Sequence, residues 1–87
     1  MKELYLDKDT RRGKFETFTW LVEEVGELAE AIRRGDAEGM KTEVTDVLAW
    51  LSSLCNLLAV DMELVATLRY GEGCPKCSGN PCVCTDL

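Results

Sequence analysis

From Phe15 onward the chain alternates apolar and polar positions with a helical period. Phe18, Leu21, Val25, Leu28 and Ile32 follow one another at steps of three and four, the stripe of an amphipathic helix. Gly35-Asp36 predicts its end, with glycine as the C-terminal stop and aspartate as the N-cap of the next helix. A second stripe repeats the period through Met40, Val44, Val47, Leu51, Leu54 and Leu58. Cys55 lies on it, where a small hydrophobe is expected. Asp61 is placed to cap a third helix over Met62 to about Tyr70, which Gly71-Glu72-Gly73 ends. Ahead of these, the polar stretch from Met1 to Lys14 predicts a short helix before a turn at Arg11-Arg12-Gly13. No segment alternates convincingly with a period of two. The expected class is therefore all-α, an antiparallel helical hairpin with short flanking helices over residues 1–70, followed by a small Cys-rich knuckle over residues 71–87.

Size changes this picture first. A chain of 87 residues buries only about 60 % of its unfolded surface and commonly adds a metal, disulfides or a partner subunit. Sixteen acidic residues against ten basic ones, a net charge of −6, leave no basic stripe and argue against nucleic-acid binding. An anionic substrate would need a cation to mediate its approach. No apolar run reaches the roughly 18 residues of a membrane span, and Met1-Lys2-Glu3-Leu4 does not open a signal peptide. The expected compartment is the cytoplasm, where five cysteines are more readily reduced, metal-bound or catalytic than paired. The absence of histidine removes the usual general base, the Ser-His triad and Cys/His zinc sites.

Two acidic motifs share one pattern, Glu24-Val25-Gly26-Glu27 and Glu43-Val44-Thr45-Asp46. Residues three apart share a helix face, so each motif projects two carboxylates. With the core stripe centred near Val25, both pairs sit on the shoulder of the apolar seam. In an antiparallel hairpin, Glu27 and Glu43 each lie eight residues from Gly35, roughly 12 Å along the axis, so four carboxylates converge. Such a cluster must raise some carboxyl pKa values or bind a cation. Oxygen-only ligands suit a hard ion such as Mg²⁺ or Mn²⁺, able to polarise a phosphoryl group and activate water. Single acid pairs of this spacing are usually solvated surface, the expectation for Glu23 and Glu30. Trp20 and Trp50 fall at matching levels one turn beyond the acids, where a large aromatic either stacks on a nucleobase or fills an interface or core edge.

The segments "FTWLVEEVGELAEAI" and "EVTDVLAWL" resemble the MazG-like nucleotide pyrophosphohydrolases of the all-α NTP pyrophosphatase superfamily, whose signature is ExxE, a spacer, then ExxD. Glu24 and Glu27 match the first half and Glu43 and Asp46 the second, and the resemblance runs from about Lys8 through Tyr70. It implies Mg²⁺-dependent hydrolysis of (deoxy)nucleoside triphosphates to monophosphate and pyrophosphate, with Glu24, Glu27, Glu43 and Asp46 holding the metal. It also implies a homo-dimer or homo-tetramer, an oligomeric helical bundle in which neighbouring subunits complete each site. Lys8, Arg11, Arg12 and Lys14 are then the candidates for triphosphate contacts. The nearest alternatives are phosphoribosyl-ATP pyrophosphohydrolase, which cleaves the same bond, and a non-catalytic helical interaction module stapled by zinc.

The last motif stands apart. In "CPKCSGNPCVC" the cysteines Cys74, Cys77, Cys82 and Cys84 can surround a tetrahedral ion, with Pro75, Gly79 and Pro81 favouring tight turns. A closed four-thiolate zinc site would be structural. A disordered reduced tail and a redox or iron–sulfur role are the alternatives.

Overall fold

The computed structural model describes residues 2–85, so that Met1, Asp86 and Leu87, at the ends of the two expected segments, lie outside it. Its elements are α1 (Lys2–Arg12), α2 (Lys14–Arg34), α3 (Ala37–Leu57) and α4 (Met62–Tyr70), with no strand among the described residues. The class is all-α, with a cysteine cluster at its C-terminal end.

The punctuation marks read from the sequence end these helices. Gly13, at φ 86°, separates α1 from α2, a conformation that costs least without a Cβ. Thr17 follows by donating its hydroxyl to the Gly13 carbonyl at 2.8 Å. At the far end of α2, Gly35 turns left-handed at φ 66°, and the Asp36 N–H reaches back to the Ala31 carbonyl at 3.0 Å. The Asp36 carboxylate accepts the Gly39 N–H at 2.9 Å, a cap of about 1 kcal/mol. Asp61 does the same for α4 through the Leu64 N–H at 3.0 Å. α4 leaves the direction of α3 at 99°.

α2 packs along α3, and α1 touches both. The buried positions are Asp9 on α1, Thr17 and Ala31 on α2, and Ser53 on α3. Half-buried Leu21, Glu24 and Leu28 link the α2 pair at steps of three and four; Glu43, Asp46, Trp50 and Leu57 do so around Ser53. This corrects the expected seam. Phe18, Val25, Ile32, Val44, Leu51 and Leu58, all placed on core stripes by periodicity, are exposed. On α3 the packed face is displaced by one residue, roughly 100° of rotation, from the apolar one. The physical reason is Arg12, which pairs with Asp9, reaches Thr17 on α2 and lies over Trp50 on α3, so that α1 covers the polar face and the apolar stripe stays exposed among the described residues.

The surface reflects that arrangement. A folded monomer of 9.7 kDa exposes about 5,100 Å², whereas this chain exposes 6824 Å². Its radius of gyration, 15.8 Å, exceeds the about 12 Å expected of a compact domain this long. Among the described residues Ala31 is the one buried hydrophobe, and no single helix is long and apolar enough to cross a membrane.

Candidate active site

α2 and α3 bring Glu24, Glu27 and Glu43 together, with one carboxylate oxygen from each lying within 4.8 Å of the others. Oε2 of Glu24 and of Glu43 is buried without a hydrogen-bond partner. Asp46, one turn along α3, stands outside this trio but acts on Glu24 through its charge. Glu24 is pushed up to about 7, chiefly by burial, then by the adjacent Glu43 carboxyl, then by the charges of Glu27, Glu43 and Asp46. Two carboxyls can hydrogen-bond only if one holds a proton. A hard divalent cation would replace that proton and satisfy the orphaned oxygens, and the all-oxygen donor set fits such an ion.

Beside Asp46 opens a cavity of about 250 Å³, lined in part by Tyr5, Lys8, Asp9, Arg12 and Trp50. Arg12 is held there from three sides. Its Nη1 donates to Asp9 Oδ1 at 2.9 Å and to the Thr17 hydroxyl oxygen at 3.4 Å, and its guanidinium carbon lies 4.7 Å from the centre of the Trp50 ring. Trp20 in turn stacks on Trp50, with centroids 6.0 Å apart and planes inclined by 21°. Since 6.0 Å is an ordinary aromatic pairing distance, the rings meet each other rather than bracketing a slot.

Of the four basic candidates, Lys8 and Arg12 line this cavity, and Arg11 and Lys14 do not. Arg11 donates through Nε to the Asp7 carbonyl at 3.3 Å on the exposed side of α1. Lys14 lies over the Phe15 ring, its Nζ 5.6 Å from the centroid. Glu23 is exposed, as is Glu30, which pairs with Arg33 on the outer face of α2. Sequence reasoning passed over Tyr5, Asp9, Thr17 and Ser53. Asp9 had a signal, its i, i+3 spacing from Arg12; the other three had none that separates them from ordinary helix residues.

At the opposite end of the chain the sulfurs of Cys74, Cys77, Cys82 and Cys84 also lie within 4.8 Å of one another. Cys77 is lowered to about 6 by N–H donation from Val83 and then Gly79. Cys55 is half-buried on α3 and not part of this group.

Residues 13–71 match the family described as the MazG nucleotide pyrophosphohydrolase domain. The match starts at Gly13 rather than near Lys8, spans α2 to α4 with their glycine boundaries, and stops before Cys74. A search of curated proteins returns no match.

Proposed function

This chain belongs to the MazG nucleotide pyrophosphohydrolase family, and from that membership we propose that it hydrolyses (deoxy)nucleoside triphosphates to nucleoside monophosphate and pyrophosphate, with Mg²⁺ or Mn²⁺ as cofactor. The observation that carries the reading is the Glu24–Glu43 approach, in which two carboxyls lie within 4.8 Å and Oε2 of each is buried and unpaired. Charge concentrated this way is costly in a fold that has no use for it.

In this reading Glu24, Glu27, Glu43 and Asp46 hold the ion, which when bound polarises the phosphoryl group and lowers the pKa of water. Water attacks the α-phosphorus, the bond from that phosphorus to the bridging oxygen breaks, and pyrophosphate departs. One of the four carboxylates accepts the proton from the attacking water. Lys8 and Arg12 border the adjoining cavity and offer positive charge to the phosphates, while the exposed Trp20, backed by Trp50, gives the base a flat surface. Arg12 is held by Asp9 and Thr17, which reduces the ordering that substrate must bring about.

The finer architecture belongs to the same proposal. α2 and α3 form the antiparallel hairpin of a catalytic unit over residues 1–70, working in the cytoplasm, and the tail over 71–87 is a separate unit. Two or four copies assemble by covering the exposed stripe through Phe18, Val25, Ile32, Val44 and Leu48. The excess surface, about 1,700 Å² over a compact monomer, exceeds the about 800 Å² that one partner contributes to a standard interface.

The test is product analysis over a panel of ribo- and deoxyribonucleoside triphosphates and phosphoribosyl-ATP, with Mg²⁺ present. Monophosphate and pyrophosphate from one or more triphosphates is the expected result. Cleavage confined to phosphoribosyl-ATP would move the assignment to that relative, and no pyrophosphate from any of them would leave the chain a binding module.

A further inference from the structure

We propose that Cys74, Cys77, Cys82 and Cys84 bind a single zinc ion in a closed four-thiolate centre, separate from the acidic cluster and outside the matched domain. The sulfur spacing carries this. Cys74 Sγ lies 3.7 Å from Cys84 Sγ, and Cys77 Sγ lies 3.9 Å from Cys82 Sγ. A tetrahedral ion with zinc–sulfur bonds of about 2.3 Å sets its thiolates about 3.8 Å apart. These pairs are far beyond the about 2.05 Å of a disulfide bond. They are also too close to enclose a cluster of several irons and bridging sulfides, so the space suits one ion.

The backbone is arranged for charged sulfur. Gly79 and Val83 direct their N–H groups at Cys77 Sγ, at 3.4 and 3.5 Å, and Cys84 directs its own at Cys82 Sγ, at 3.3 Å. Donors of this kind offset the negative charge of metal-bound thiolates and orient them, as outer-shell partners do at other metal centres. Two glycines let the loop close around the sulfurs. A Cβ at Gly73, which sits at φ 109°, would lie 2.9 Å from the Ser78 carbonyl oxygen; one at Gly79 would lie 2.8 Å from that of Pro81 and 3.3 Å from Cys77 Sγ.

Nothing apolar accounts for this compactness. No described residue from Gly71 onward is buried, and Val83, the one large aliphatic side chain there, is 72 % exposed. A segment of this kind obtains its folding free energy from the ion itself. Four protein ligands leave no position for water or substrate, so the centre is structural. Zinc is chosen over iron because it is redox-inert and meets the four thiolates without a preferred geometry of its own.

The test uses the full chain, purified under reducing conditions, reconstituted with zinc and passed through a desalting column. Elemental analysis should give about one zinc per chain for the wild type and for Cys55→Ser. Replacement by cobalt should give the visible spectrum of a tetrahedral four-thiolate ion. Cys82→Ser and Cys84→Ser should each lose that spectrum while the helical circular dichroism persists. Gly79→Ala, which keeps all four thiols, should weaken zinc retention by about 10- to 100-fold. The proposal is overturned by wild-type protein retaining less than about a tenth of an equivalent of zinc. It is equally overturned by a preference for iron over zinc in competition, or by cobalt spectra unchanged in both serine variants.

Discussion

Glu24 on α2 and Glu43 on α3 set a carboxylate oxygen each within 4.8 Å of the other, and each keeps a buried Oε2 with no partner. Without metal, the contact depends on a proton. Glu24 has an ordinary value of 4.5 and is raised to about 7 in the folded chain, so between these values the folded state binds more protons than the unfolded one. The stability this contributes is fully present below about pH 4.5 and is lost as pH rises through 7. Metal-free protein in a chelator should therefore show a falling melting temperature from pH 5 to pH 8, and Glu24→Gln should flatten the fall. A wild-type profile that rises over that range and coincides with the variant's would show that Glu24 does not hold a proton beside Glu43.

Cation binding should reverse the penalty. At pH 8 Mg²⁺ or Mn²⁺ should raise the melting temperature, because four carboxylates gain a shared counter-charge and ligand binding to the folded state stabilises it by mass action. At 100-fold excess over the dissociation constant the gain is about 2.7 kcal/mol. At pH 5 protons compete for Glu24 and the shift should shrink. Equal shifts in wild type and a Glu24→Gln/Glu43→Gln double variant would show the ion binding elsewhere.

The Asp9–Arg12–Thr17 contact makes a structural prediction distinct from the acids. Asp9 and Arg12 form an ion pair at 2.9 Å with side chains 2 % and 19 % exposed. Asp9→Ala strands a largely buried guanidinium and should cost about 1–3 kcal/mol. Hydrogen exchange should locate the loss in α1, with the amides along the α2–α3 seam still protected. Uniform loosening of all helices would contradict the assignment of this contact to docking α1.

The exposed apolar stripe predicts association. Ile32 is 58 % and Leu48 52 % exposed, and neither belongs to the acidic cluster. Wild-type protein should run as a dimer or tetramer in light scattering, and Ile32→Glu or Leu48→Glu should shift the mass toward the monomer by burying a charge at the contact. A wild type that is monomeric at high concentration would leave the stripe without the partner proposed for it.

Much of the scaffold is legible because its boundaries are written in residue types with one local use. Gly13, Gly35-Asp36, Asp61 and Gly71 each end or start a helix, although Arg11 and Arg12, expected in the turn, complete α1. The positive-φ Gly13 and Gly35 and the N-caps Asp36 and Asp61 depend on the immediate backbone alone. Equal distance from Gly35 likewise sets Trp20 and Trp50 at one level, though not their stacking on each other. The inward face is not legible in this way. Periodicity marks Val25 and Val44 as residues that need cover, but it does not say whether their own chain supplies it. The packed face instead carries Thr17, Glu24, Glu43 and Ser53; motif register sets the two acids beside the seam, whereas the polarity of Thr17 and Ser53 reads as solvent exposure until α1 is known to lie across them. The position of Arg12 over Trp50 depends on the same crossing, which explains why Arg11, its neighbour of identical chemistry, is turned away.

The most direct measurement is pyrophosphate release by wild type, Glu27→Gln and Glu43→Gln under saturating Mg²⁺ and a preferred triphosphate. The two acidic motifs act as one cradle in this account. Each variant should therefore lose at least about 100-fold in turnover, given the several kcal/mol that metal-borne charge stabilisation supplies. In chelator at pH 8, without metal, both should melt no lower than wild type, because each removes a repelling charge. Turnover within a few fold of wild type in either variant would contradict it.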